Sequence, residues 1–268
     1  MGERGKVTTA TLKERKQRGE RIAALTAYDH LFATILDRAG VDVILVGDSV
    51  ATVMQGRDTT VPVTMEQMVY HCELVSRGCS RALVVGDLPF MSYQVSISDA
   101  LRNAGRLLKE GLVEAVKLEG GRAFAPTVEK LVSAGIPVMG HVGLTPQSIN
   151  QFGTYKTRGT EQEEQDQLID DAVALEEAGA FAIVLEKVPA ELGERMSAAT
   201  SVPIIGIGAG PHTDGQILVT HDMLGMFTRF QPRFVRRYRE LAGDIGEAIG
   251  DYCDDVRGGR FPSEDESY

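Results

Sequence analysis

The stretch DVILVGD at residues 42–48 sets four aliphatic residues in a row and closes them with glycine and aspartate. Unbroken apolar character without alternation is what a parallel strand shows when both of its faces are buried. The pattern recurs after it, as ALVVGD at 82–87, EAVKLE at 114–119, IPVMGH at 136–141 and AIVLE at 182–186. Strands are therefore expected at 21–27, 42–47, 82–86, 114–118, 136–140, 180–185 and 203–206, with a weaker eighth near 216–220. Between them, segments 31–39, 65–76, 99–109, 127–134 and 163–178 carry apolar residues at helical spacing. Several close on glycine, as DRAG, VSRG, LKEG, VSAG and LEEAG, which suits the left-handed conformation just past a helix. Such alternation gives an open doubly wound sheet or a closed barrel, and eight units in 268 residues favour a single (β/α)8 TIM barrel.

Outside the repeat, residues 1–20 form an N-terminal extension with a helix at Thr9–Gln17, placed to cover the N-terminal end of the barrel. A C-terminal helix is expected from Phe234 (FVRRYRELAGDIGEAIGDYCDDV), with residues 257–268 a disordered acidic end. No linker divides the chain, so one domain spans 1–268. Hydrophobic content of 43% and charged content of 25% are those of a globular protein, and a formal charge of −10 argues against nucleic acid or an anionic membrane as partner. Cys72, Cys79 and Cys253 form no C-x-x-C pair, and an odd count suits a reducing cytosol. The polar N-terminus lacks the apolar core of a secretory signal, and no run approaches the length of a membrane span. A cytoplasmic protein acting on small molecules is expected.

The functional signal lies in what ends each strand: Asp48, Asp87, Glu119, His141 and Glu186. In a barrel of this kind the C-terminal strand ends line the active-site mouth. Any one of these carboxylates can merely cap a helix or pair with a surface lysine. Three on consecutive strands would repel one another without a cation. Neighbouring strands lie about 4.8 Å apart, so Asp48, Asp87 and Glu119 can reach one ion. All-oxygen ligation suits a hard cation, Mg²⁺ before Mn²⁺ or Ca²⁺. Lys117 lies two residues before Glu119 and points the same way. It can form a buried salt bridge, contact substrate charge or form a Schiff base. The nearby carboxylates would hold it protonated, which favours substrate contact. Lys187 should face away, toward the helices. The run IIGIGAG at 204–210 reads as close backbone packing before phosphate binding, and TPQSINQFGTYKTRGTEQEE at 145–164 as a lid or a solvated connection.

The motifs LTAYD, LVGDS, QGRDTTVPVTMEQMVYH, GDLPFMSY, VKLEGG, PVMGHVGLTPQS, GTYKTRG, VLEKVP and IIGIGAGPHTDGQILVTHDMLG occur in an order that resembles the ketopantoate hydroxymethyltransferase family, from about Thr26 to the C-terminal helix. The resemblance implies a barrel enzyme of pantothenate and coenzyme A biosynthesis. Such an enzyme transfers a hydroxymethyl group from 5,10-methylenetetrahydrofolate to 3-methyl-2-oxobutanoate, giving 2-dehydropantoate. It also implies Asp48 and Asp87 as holders of Mg²⁺, directly or through water, with Glu119 completing the metal site. Ser49 and Lys117 would contact the oxo acid alongside Asp48 and Asp87, Glu186 would accept the proton, and His141 would line the pocket. The family assembles as a decamer, a pentamer of dimers, so a homo-oligomer is implied. Two departures stand out: Val50, Ala51 and Thr52 replace a Leu-Gly-Met-like continuation after GDS, and Lys187 replaces a small or thiol residue after VLE.

The chemistry needs such a set. A cation chelated by the 2-oxo and carboxylate oxygens stabilises an enolate, and a carboxylate across the pocket can remove the C3 proton. A Mg²⁺-dependent barrel of the phosphoenolpyruvate mutase and isocitrate lyase type would use similar carboxylates. It would normally bring a reactive lid cysteine, and none lies between Cys79 and Cys253. A non-catalytic barrel acting as a binding subunit would have no need of the full set.

Overall fold

The computed structural model describes residues 5–268, so the first four residues of the 1–20 extension lie outside the described residues. Eight strands run in chain order: β1 (Ile22–Thr26), β2 (Val43–Val46), β3 (Leu83–Asp87), β4 (Ala115–Lys117), β5 (Val138–Gly143), β6 (Ala182–Glu186), β7 (Ile204–Ile207) and β8 (Gly215–Leu218). All pair in parallel with their sequence neighbours, and β8 closes on β1, so the sheet is a barrel. Alternate residues explain the unbroken apolar runs. Val43, Leu45, Leu83, Val85, Ala115, Met139, Ala182 and Val184 share the interior cluster. Their neighbours Ile44, Val46, Val84, Val116, Val138 and Ile183 pack outward with the helix residues Met68, Cys72, Leu107, Leu131 and Leu175.

The helices His30–Ala39, Met65–Gly78 and Ile97–Lys109 start where Asp29, Thr64 and Ser96 accept an N–H of the first turn. Gly40, Gly135 and Gly179 are left-handed, as the glycine pattern predicts. Gly78 and Gly111 are not: Gly78 stands inside its helix, where a Cβ would come within 2.7 Å of the His30 carbonyl, and a Cβ on Gly111 would come within 2.7 Å of the Leu107 carbonyl. The helix Thr9–Gln17 closes the N-terminal end: Leu12 is fully buried in the interior cluster, Arg15 pairs with Asp42 at 2.7 Å and Lys16 with Asp214 at 2.9 Å.

The chain divides into two compact units, the barrel through Val219 and a second from Thr220 to Tyr268. In the second, the helix spans Leu241–Arg257 and does not begin at Phe234. Arg233, Arg236, Arg237 and Arg239 would repel one another at helical spacing. The backbone there bonds sideways instead, Tyr238 N–H to Met223 O at 2.7 Å and Leu241 N–H to Leu224 O at 3.0 Å. Residues 257–268, expected to be disordered, fold back through Arg260 on Asp255 (2.7 Å) and Phe261 against Tyr252, and carry a turn at Glu264–Glu266. Among the described residues, no helix is long and apolar enough to cross a membrane, and Cys72, Cys79 and Cys253 are free thiols.

Candidate active site

The inward parity of the barrel carries straight into the polar layer. Leu83 and Val85 are followed by Asp87, Ala115 by Lys117 and Glu119, Met139 by His141, and Ala182 and Val184 by Glu186. Strand register sets Asp87 beside Lys117. Lys117 Nζ lies 2.8 Å from Asp87 Oδ1 and 3.9 Å from Glu119 Oε1. Asp48 follows Gly47 at the end of β2, and its N–H donates to Asp87 Oδ2 at 3.1 Å. His141 Nδ1 is 3.4 Å from Glu119 Oε1, and its Nε2 is 3.3 Å from Glu186 Oε2. Asp48, Asp87, Lys117, Glu119 and His141 are buried, whereas the Glu186 side chain keeps 16% of its surface open. His141 sits within β5 instead of just past its end, because pairing with β6 extends that strand to Gly143. Ser49 Oγ lies 2.8 Å from Tyr28 Oη.

Burial, then the charges of Asp87 and Glu119, push Asp48 up to about 8 against the opposing effects of Lys117 and Gln147. Burial likewise raises Asp87, with Lys117 opposing. Glu119, although buried, is held below the ordinary carboxylate range by His141, Lys117 and the Gln147 N–H. Burial disfavours the Lys117 charge, but Asp87, Glu119 and Asp48 outweigh it and keep the ammonium. Burial and Lys117 oppose protonation of His141, yet the adjoining carboxylates of Glu119 and Glu186 prevail and raise it to about 9. Lys117 Nζ also lies 3.2 Å from His141 Nδ1, within hydrogen-bond reach when that nitrogen carries no proton. The buried layer gathers three acids, Asp48, Asp87 and Glu119, around two basic groups, Lys117 and His141, so even with both bases charged it is one cation short when all three acids ionise.

Among the described residues, no three His, Cys, Asp or Glu side chains converge as a ready metal-ligand cluster. The donor chemistry nonetheless fits a hard divalent ion. Magnesium is commonly held by one or two carboxylates plus waters, and Asp48 and Asp87 adjoin at the layer's one charge-deficient position.

Three residues that sequence reasoning passed over complete the layer. Gln147 is buried, its Nε2 donating to Asp48 Oδ2 and its backbone N–H to Glu119 Oε2, each at 3.0 Å. Tyr93 Oη accepts the Glu119 N–H at 3.1 Å, and Tyr28 meets Ser49. No local signal marks Gln147, which lies four residues past the end of β5 inside the segment read as a lid or a solvated connection. That segment in fact holds a turn at Pro146–Ser148 and a short helix at Ile149–Phe152. Lys187 does not turn to the helices. With φ +50° it bonds the Tyr155 carbonyl through Nζ, and its own carbonyl accepts the Arg158 N–H at 3.0 Å, tying down the GTYKTRG loop. After β7, the glycines serve packing, as expected: a Cβ on Gly210 would strike Ala190.

Fold and site together define an α/β-barrel enzyme whose ionisable groups converge at the C-terminal strand ends. The chain belongs to the ketopantoate hydroxymethyltransferase family, whose model matches residues 6–264. It is similar to proteins named 3-methyl-2-oxobutanoate hydroxymethyltransferase. One from Salinibacter ruber is 58% identical, with 98% of this chain and 99% of that protein covered. Another, from Moorella thermoacetica, is 54% identical with 100% of each covered. Among solved structures, phosphonopyruvate hydrolase with oxalate and Mg²⁺ superposes with a TM-score of 0.61 at 13% identity, covering 97% of this chain and 93% of that one. The lyase that acts on 2,3-dimethylmalate, of the phosphoenolpyruvate mutase and isocitrate lyase superfamily, gives 0.59 at 15%, covering 97% and 91%. At these identities the likeness is one of fold.

Proposed function

We propose that this protein transfers a hydroxymethyl group from 5,10-methylenetetrahydrofolate to 3-methyl-2-oxobutanoate, forming 2-dehydropantoate in pantothenate and coenzyme A biosynthesis. The observation that carries the reading is the full-length family match, 6–264, laid over a layer that sets Asp48, Asp87, Lys117, Glu119, His141 and Glu186 around one mouth. Asp48 and Asp87 would hold Mg²⁺, with Glu119 completing the site behind them. Bound there, the ion supplies a Lewis acid that favours the enolate of the oxo acid. Ser49 and Lys117 hold the anionic end of the substrate, Lys117 through an ammonium that its carboxylate neighbours keep charged. Glu186, the only one of these acids partly open to solvent, takes the C3 proton, and the adjoining His141 orients it from 3.3 Å. The exposed GTYKTRG loop beside it is suited to face the folate donor.

The test is hydrogen exchange at C3 of 3-methyl-2-oxobutanoate in D₂O, with and without Mg²⁺. Wild type should exchange only with the ion, and Glu186→Gln should bind the oxo acid yet lose exchange. Unchanged exchange in Glu186→Gln removes that residue from the role. Exchange that prefers other oxo acids would favour the mutase and lyase class.

The same reading places the enzyme in the cytoplasm as a homo-oligomer, the decamer the family implies. Such an assembly would cover the exposed Ile245, Ile249, Tyr252 and Val256, which line one stripe of Leu241–Arg257.

A further inference from the structure

Gln147 is engaged at both polar atoms of its side chain and at its backbone N–H. Its Nε2 donates to Asp48 Oδ2 and to the Leu88 carbonyl, both at 3.0 Å. Its Oε1 lies 2.9 Å from Tyr93 Oη and 3.2 Å from Gln94 Nε2. Its backbone N–H holds Glu119 Oε2 at 3.0 Å. The side chain is buried and cannot be flipped, because Oε1 would then face the Asp48 carboxylate and the Leu88 carbonyl, two acceptors. One residue on the β5 connection therefore grips two carboxylates, from the ends of β2 and β4.

The choice of an amide matters. A lysine or arginine here would hold Asp48 as firmly, but would cancel the charge that draws a cation. A neutral donor fixes Oδ2, and with it the direction of Oδ1, while leaving the carboxylate free to ionise. We propose that Gln147 is a positioning residue of the metal site, holding Asp48 in the orientation a divalent ion requires. The proposal rests on the reading of Asp48 and Asp87 as metal holders. Partners of this kind typically change metal affinity by about 10–100-fold when removed.

The experiment titrates Mn²⁺ into metal-free protein without substrate, following free Mn²⁺ by electron paramagnetic resonance. Gln147→Met keeps the length and loses the donors, and its Mn²⁺ affinity should fall about 10–100-fold. If it does not fold, Gln147→Asn keeps a buried amide one methylene short of Asp48 and should fall comparably. In an Asp48→Asn background the same change should alter the residual affinity less than about twofold, since its route is gone. In turnover, the loss should appear in half-saturation by metal, with the KM for oxo acid at saturating metal unmoved. Wild-type affinity in a folded Gln147 variant overturns the proposal alone. Failure of wild type to bind Mn²⁺ overturns the metal reading, and the proposal with it.

Discussion

Replacing Asp48 by asparagine should stabilise the metal-free protein, and increasingly so as pH rises. Asp48 has an ordinary value of 3.8 and is pushed up to about 8 by burial beside Asp87 and Glu119. A group raised in the folded state gives stability that is complete below about pH 4 and is lost as pH climbs through about 8. The slope between is roughly 1.4 kcal/mol per pH unit. From about pH 5 to about pH 7 the wild type should therefore lose on the order of 2.5 kcal/mol through this residue, while asparagine does not titrate. Any packing cost of the substitution is the same at both pH values and cancels. Urea unfolding of both proteins in the presence of a chelator, at the two pH values, measures the swing directly. A swing smaller than about 1 kcal/mol would refute the claim that Asp48 sits desolvated among like charges. If Asp48 is a metal holder as proposed, the stabilised variant should also bind Mn²⁺ much more weakly, keeping only a residual affinity, since the charge that costs stability is the one that would attract the ion.

Lys117→Met should destabilise the protein by about 3–5 kcal/mol near pH 8, the usual cost of stranding buried partners. Because Asp48 and Asp87 are both raised and take up protons readily, the penalty should shrink toward pH 5, and a pH-independent penalty in urea unfolding would count against the ion-pair account. Lys187→Ala should free the GTYKTRG loop, so that limited trypsin cleavage at Lys156 and Arg158 speeds up several-fold while global stability changes by less than about 1 kcal/mol. Equal cleavage rates would mean that the Lys187 contacts with Tyr155 and Arg158 do not hold the loop.

What could be read from sequence follows from parity and burial. Strands buried on both faces announce themselves, which is why β2, β3 and β7 fall within a residue of their expected positions. β8 is short and half open, with Gln216 exposed, and so reads weakly. Asp87, Glu119 and Glu186 were legible because each continues an inward-facing row. Gln147 and Tyr93 were not, since they reach the layer from connections whose path is set by tertiary contacts. Nothing local marks a glutamine in a polar segment as buried. The start of the C-terminal helix failed for a related reason: Phe234–Glu240 has helical residue types, but its arginines repel and its backbone finds partners at Met223 and Leu224.

The order of charges around the rim explains how one layer can serve two tasks. Lys117 stands between Asp87 and Glu119, and His141 between Glu119 and Glu186, so each buried cation is shared by two acids. A row built this way has two unlike ends. At one end Asp48 is buried and, among the described residues, hydrogen-bonds through its side chain to a neutral amide, so a proton or an incoming cation would meet its charge. At the other end Glu186 adjoins His141 and opens to solvent, where in the proposed reaction a proton taken from substrate would leave. Exchanging the two ends would put the proton acceptor where no water reaches and the cation where water competes for it. The proposed division between an ion-holding side and a proton-accepting side thus rests on which end of the row is sealed.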